Sequence, residues 1–246
     1  VRDYVEHNRK KLAIPFAIII LSLVVMLIGS LAGWVVIRAK SYAKLMPLNT
    51  GDFASEVSEI NWNQIPLLDE DSANNLANRK LGELSDLVSQ FEVNNASAQI
   101  NYKGNPVRVN YLNYSDFFKW WSNRKMGIPA YIRIDMRSQE VTVVRLEEGI
   151  KYSPSEYFNR NLMRHLRFQY PTLMFDDVNF EIDDEGTPYW VASVLVKRIG
   201  LFNGEDIAGA VLVNAVTGES TYYDIADVPS WVDRVYSSSL IVQQYN

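Results

Sequence analysis

The stretch from Leu12 to Ile37, LAIPFAIIILSLVVMLIGSLAGWVVI, runs for 26 residues without a charged side chain. No other feature restricts what this chain can fold into so strongly. At about 1.5 Å of rise per residue, a helix needs about 20 apolar residues to cross the hydrocarbon core of a bilayer, so this stretch is long enough with some tilt. A secretory signal peptide has an apolar core of about 7 to 15 residues followed by a small-residue cleavage site, and the stretch is too long for that. The sequence therefore predicts a transmembrane helix over residues 12–37, preceded by a tail over residues 1–11. Pro15 is expected in the first turn, where a missing N–H costs little, and Trp34 at the level of an interfacial aromatic. Gly29 and Gly33 have the spacing that lets two membrane helices approach closely. Dimerisation through them is not the favoured reading, because glycine is common in membrane helices.

Orientation rests on flanking charge. Arg2, Arg9, Lys10 and Lys11 precede the span and Arg38, Lys40 and Lys44 follow it, a narrow majority for a cytoplasmic N-terminus. From Asp52 to Gln90 there are eight acidic residues against two basic ones, which suits a large domain outside the cytoplasm. The net charge of −5 argues against nucleic acid as a partner. With no cysteine and only His7 and His165, thiol chemistry is excluded and a zinc site would need carboxylates. No catalytic, cofactor-binding or metal-ligating residue is predicted, and no cofactor. The chain opens on Val1 and stops at Asn246 without a terminal signal, so it is expected to be part of a longer protein.

The remainder reads as α+β. Residues 38–70, with Pro47 and Pro66, form a juxtamembrane linker. A first unit over 71–150 opens with a helix from Ser72 to Phe91, on the stripe Ala77, Leu81, Leu84, Val88 and Phe91. Two strands follow around a Gly104-Asn105 turn, then a short helix capped by Ser115, then a hairpin turning at Arg137-Ser138-Gln139. A second unit over 151–228 starts at Ser153-Pro154-Ser155-Glu156, a capping box with proline at the first helical position. Phe158, Leu162 and Leu166 are its expected buried stripe, and Tyr170-Pro171 ends the helix. Residues 229–246 open like a further helix, with Val232, Val235, Ser239 and Val242 on one face.

The acidic run after the second helix raises the question of a metal loop. In DVNFEI, Val178, Phe180 and Ile182 alternate with Asp177, Asn179, Glu181 and Asp183, so the acids read as the wet face of a half-buried strand. Asp183-Asp184-Glu185-Gly186 is then the turn to the next strand. Calcium-loop spacing counted from Asp177 puts Ile182 at the sixth place and Pro188 at the twelfth, where glycine and glutamate are required.

A helix ending in Tyr170-Pro171, then FEIDDEGTPYWVASVLV, then GAVLVNAVTGESTYY with its Thr217-Gly218-Glu219 turn, resembles the PepSY domain over roughly residues 152–224. The link KRIGLFNGEDIAG is longer than that family's usual one. Residues 72–150 read as a diverged second copy. The resemblance implies a helix on a small antiparallel sheet, acting as a binding or regulatory module at the cell envelope rather than as a catalyst. It carries over no catalytic residues.

Two features suggest where a protein partner would bind. Arg160, Arg164 and Arg167 recur at helical spacing away from the apolar stripe, and Trp120 and Trp121 lie in a run of six aromatics between Tyr111 and Trp121 that one short helix cannot bury. The expected protein is single-pass and membrane-anchored, with the bilayer and a protein as its partners. The alternatives are a structural subunit of a membrane assembly, or an envelope enzyme whose catalytic part lies beyond residue 246. His165 has no nucleophile or ligand at motif spacing and reads as structural.

Overall fold

A computed structural model describes the backbone of residues 2–46, 49–57 and 65–245, with side chains from residue 13 onward. In chain order the elements are α1 (Arg2–Ala32), α2 (Val35–Tyr42), α3 (Phe53–Glu56), α4 (Glu70–Gly82), α5 (Ser85–Val88), β1 (Phe91–Val93), β2 (Ala98–Tyr102), β3 (Asn105–Asn110), β4 (Leu112–Tyr114) and α6 (Phe117–Asn123). Then come β5 (Ile128–Asp135), β6 (Val141–Ile150), α7 (Leu162–Gln169), β7 (Met174–Ile182), β8 (Pro188–Ile199), β9 (Asn203–Asn214), β10 (Ser220–Asp224) and α8 (Ser238–Tyr245). The residues cluster into two units. One is Val1–Thr50 with Val196–Asp206 and Ser238–Asn246; the other is Gly51–Leu195 with Ile207–Ser237.

In the first unit, α1 holds the apolar stretch Ala13–Ala32, 20 residues long and only 6% buried, long and apolar enough to cross a membrane. Its limits differ from those expected. The helix begins at Arg2, so Pro15 lies inside it rather than in its first turn. It ends at Ala32, and Trp34 is an extended residue (φ −64°, ψ 135°) before α2. Side chains satisfy carbonyls freed at this break: Tyr42 Oη donates to Gly33 O at 2.9 Å and Arg38 Nε to Ala32 O at 3.2 Å. Gly29 and Gly33 are buried against Phe202 and Asn203 of the β8–β9 turn, whose side chains fill the space a Cβ would occupy. The close approach these glycines allow is thus used within the chain. The side chains of Arg2, His7, Arg9, Lys10 and Lys11 lie outside the described residues, as do Pro47 and residues 58–64 of the linker.

The second unit has a four-stranded sheet in the order β2-β3-β5-β6, another in the order β10-β9-β8-β7, and the small pair β1-β4. The registered pairs are antiparallel. One apolar core runs through it from Leu68 to Ala215. Tyr131 of β5 meets Phe180 of β7 across the two sheets at 6.0 Å between ring centroids, and Tyr111, between β3 and β4, lies 4.7 Å from Trp190 and 5.5 Å from Phe180. The two stretches that read as separate units therefore share a core.

Several local expectations are corrected. Asp69 caps α4, accepting from Ser72 N at 2.8 Å. The helix stops at Gly82, and Phe91 pairs with Tyr114 in a strand rather than closing a helical stripe. Ser115 does not cap α6; Asp116 does, accepting from Lys119 N at 2.9 Å. The capping box at Ser153 starts no helix. Asn161 caps α7 instead, accepting from Arg164 N at 3.2 Å, because Glu156 turns inward to other partners. Leu162 and Leu166 are buried as expected, whereas Phe158 is 61% exposed.

Glu181 is the clearest departure. Alternation puts it on a wet strand face, yet it is fully buried. Residues 229–237 do not continue α8 but fold over this face, and the N–H groups of Asp233 and Arg234 donate to the two Glu181 carboxylate oxygens at 2.9 and 3.0 Å. Burial pushes Glu181 up to about 7, against the pull of those two donors. Asp183 does close a turn, accepting from Glu185 N at 3.0 Å and Thr187 N at 2.7 Å. The long link after Val196 is no loop: β8 runs to Ile199 and β9 starts at Asn203.

Candidate binding site

Helix α6 turns by about 100° per residue, so Trp120 and Trp121 differ in burial although their rings meet edge to face at 5.9 Å. Trp120 is 4% exposed and Trp121 is 51% exposed. Trp120 faces the core, and its Nε1 donates to Glu156 Oε2 at 2.7 Å; Tyr114 Oη donates to Glu156 Oε1 at 2.8 Å. Of the two tryptophan candidates, Trp120 is therefore a core residue and Trp121 is the exposed one. Burial raises the Glu156 carboxyl above its usual value, while the two hydrogen bonds and the Arg160 charge pull it down. Buried carboxyls of this kind stand only where donors compensate the lost hydration.

Around this anchor, the irregular segment 153–161 brings Tyr157 and Phe158 onto α6. Tyr157 lies 4.7 Å from Trp120 and 5.3 Å from Phe117, centroid to centroid, and Phe158 lies 5.9 Å from Trp120. Phe158 has φ 54°, a left-handed conformation that costs a bulky residue strain. Its ring packs one face on Trp120 and leaves the rest exposed. The guanidinium of Arg124 stacks 3.8 Å from the Trp121 centroid, and Arg160 Nη1 donates to Arg124 O at 2.6 Å.

Two open clefts flank Glu156 and its neighbours. One, of about 360 Å³, is walled by Trp121, Phe158, Arg124, Lys125 and Arg160. The other, of about 390 Å³, is walled by Tyr114, Ser115, Asp116 and Arg164. The expected arginine row is thereby divided. Arg160 closes a short 3₁₀ turn before α7 and joins the tryptophan cleft; Arg164 lines the neighbouring cleft. Arg167 belongs to neither, since its Nη1 donates to Leu173 O at 2.9 Å and its guanidinium lies 5.3 Å from the Phe175 centroid.

Glu156, Tyr157, Phe158 and Arg124 were missed as site residues. The first three had been absorbed into a helix start and an apolar stripe. Their sequence signal is the second aromatic pair, Tyr157-Phe158, beside an acid whose assumed cap demanded a helix. Chemically, the site offers exposed ring faces and a cationic rim, while its carboxylate is already held by two donors. It is equipped to hold an acidic, partly apolar segment. His165 is structural: its Nε2 donates to Gly218 O at 2.8 Å, and its ring lies 4.7 Å from that of Tyr152. Among the described residues, no group of three or more His, Asp or Glu could hold a metal ion.

Comparisons with protein-family models, with curated proteins and with solved structures return no match for this chain.

Proposed function

We propose that this chain is a single-pass membrane-anchored protein whose α+β region lies outside the cytoplasm and binds a protein partner at the cell envelope. The observation that carries the anchor is Ala13–Ala32, an uncharged helix left 6% buried by the rest of the fold, whose apolar surface a bilayer would cover. The acidic run after Asp52 and the narrow positive excess before the span support a cytoplasmic N-terminus. A PepSY-like character is supported by the order of α7 followed by β7 to β10, with acidic and Thr-Gly-Glu turns where the resemblance puts them. A binding role is supported by the exposed Trp121 and Phe158, which line one cleft with Arg124, Lys125 and Arg160.

Topology is tested by adding protease to spheroplasts. The expected result is digestion after Lys44, with a tag before Val1 spared; a protected domain would reverse the orientation. Partner binding is tested at Trp121, replaced by a photo-crosslinking amino acid or by alanine. Crosslinking should trap a stoichiometric partner in solubilised membranes. Trp121→Ala should weaken that complex by about 2 kcal/mol or more, the scale of an exposed aromatic anchor, while leaving unfolding free energy within about 0.5 kcal/mol. Equal binding by Trp121→Ala would remove this surface from the proposal.

A further inference from the structure

The β8–β9 turn carries a surface that the partner site does not use. Residues 199–204, Ile-Gly-Leu-Phe-Asn-Gly, contain no charge, although hairpin turns ordinarily favour polar residues. Leu201 is 62% exposed and Phe202 44% exposed. The turn lies on α1: Phe202 fills the space beside Gly29, Asn203 fills that beside Gly33, and a Cβ at Gly200 would lie 3.3 Å from the Gly33 backbone. If Ala13–Ala32 spans about 30 Å of hydrocarbon, Gly29 lies about 4.5 Å inside its boundary. Leu201 and Phe202 then sit at the depth reached by interfacial apolar groups, about 5 to 10 Å below the headgroup boundary at most. Leu27, Ile28 and Leu31, close in sequence to Gly29 and Gly33 on α1, are all at least half exposed, as a lipid-facing helix requires.

The charges begin where such an insertion has to stop. Lys197 pairs with Glu205, and Arg198 Nε with Asp206 Oδ2 at 3.0 Å. At about 3.3 Å per strand residue these pairs begin roughly 10 Å from Leu201 and Phe202 at the tip, in the headgroup layer. Irregular backbone is not tolerated against lipid deeper in the hydrocarbon, so the turn belongs at the interface and not in the bilayer centre.

We infer that the β8–β9 turn is a second membrane-contacting element, inserting Leu201 and Phe202 into the phospholipid interface beside the C-terminal end of α1. This rests on the reading of α1 as a membrane span, and the test separates the two. The chain lacks cysteine, so single cysteines can be introduced in the full chain at Leu201, Ile19 and Phe118 and spin-labelled. All three positions are more than half exposed, so a label has room to point into its surroundings. In nanodiscs of phosphatidylcholine and phosphatidylglycerol, collision with oxygen reports lipid exposure and collision with a nickel chelate reports water. Labels at 201 and 19 are expected to favour oxygen, and the label at 118 to favour nickel. A nickel-accessible 201 with 19 in lipid overturns the inserted turn and leaves the anchor standing. A nickel-accessible 19 overturns the anchor, and the inference with it. A label at 201 shielded from both reagents and dipolar-broadened means that a second copy of the chain covers the turn, which also overturns it.

Discussion

Replacing Trp120 with alanine is expected to lower unfolding free energy by about 3–5 kcal/mol, the range for a large buried aromatic. The cost has two sources. The ring is 4% exposed and touches Phe117, Tyr157 and Phe158, so truncation leaves a void that these neighbours only partly fill. The indole N–H is also one of two side-chain donors to buried Glu156, and its loss strands a carboxylate oxygen. Trp120→Phe separates the terms. It keeps most of the packing and should cost about 1–3 kcal/mol, the scale of an unsatisfied buried group. It should also raise the Glu156 pKa further, because a bond favouring the charged form is gone. Urea unfolding of the three proteins, with carboxyl NMR of Glu156, reads both effects. A loss below about 1 kcal/mol for Trp120→Ala would contradict the buried placement.

Stability is expected to fall as pH rises from about 4.5 to about 7, with Glu181 contributing about 3 kcal/mol of the decline. In the unfolded chain this carboxyl ionises near its usual value of 4.5; in the folded protein burial holds the proton until about 7. Between those values the native state binds more protons than the unfolded one. Its stabilising contribution is therefore complete below 4.5 and lost as pH climbs through 7. Asp233 adds to the upward shift by charge repulsion, whereas Arg234 and the two backbone donors resist it. Glu156, also raised, acts in the same sense. Asp69, Asp86 and Asp135 are held below 3.8 and act in the opposite sense, at more acid pH. Denaturant midpoints across pH 4 to 8 for the wild type and Glu181→Gln check this: the variant should show a flatter decline. Parallel curves would mean that Glu181 keeps an ordinary pKa.

Some of this protein is local, and the sequence alone determined it. The apolar helix follows from uncharged length, because no folded contact is needed to make 20 such residues insoluble. The strands β5 and β6 follow from alternation, the turn at Asp183 from its Asx chemistry, and the end of α7 from Tyr170-Pro171, each set by neighbours a few residues away. Even so, the helical period at Ser72–Phe91 ran through Gly82 into what became β1, since apolar spacing does not announce a break. Arg160 and Trp121 were legible as exposed candidates, but that they share one cleft was not.

The tertiary structure decided which of two plausible faces is covered. Glu156 had a sound local role as a capping acid, and Glu181 a sound one on a wet strand face. Each went inside because donors distant in sequence were waiting: Tyr114 and Trp120 for one, Asp233 and Arg234 for the other. The choice between Trp120 and Trp121 was settled the same way, by the arrival of Tyr157 and Phe158 against one side of α6. Gly29 and Gly33 announced a close approach without naming the partner, which proved to be Phe202 and Asn203. Periodicity reports that a residue has a face. Burial depends on what folds over that face, and hydrogen bonds across dozens of residues make even a carboxylate acceptable there.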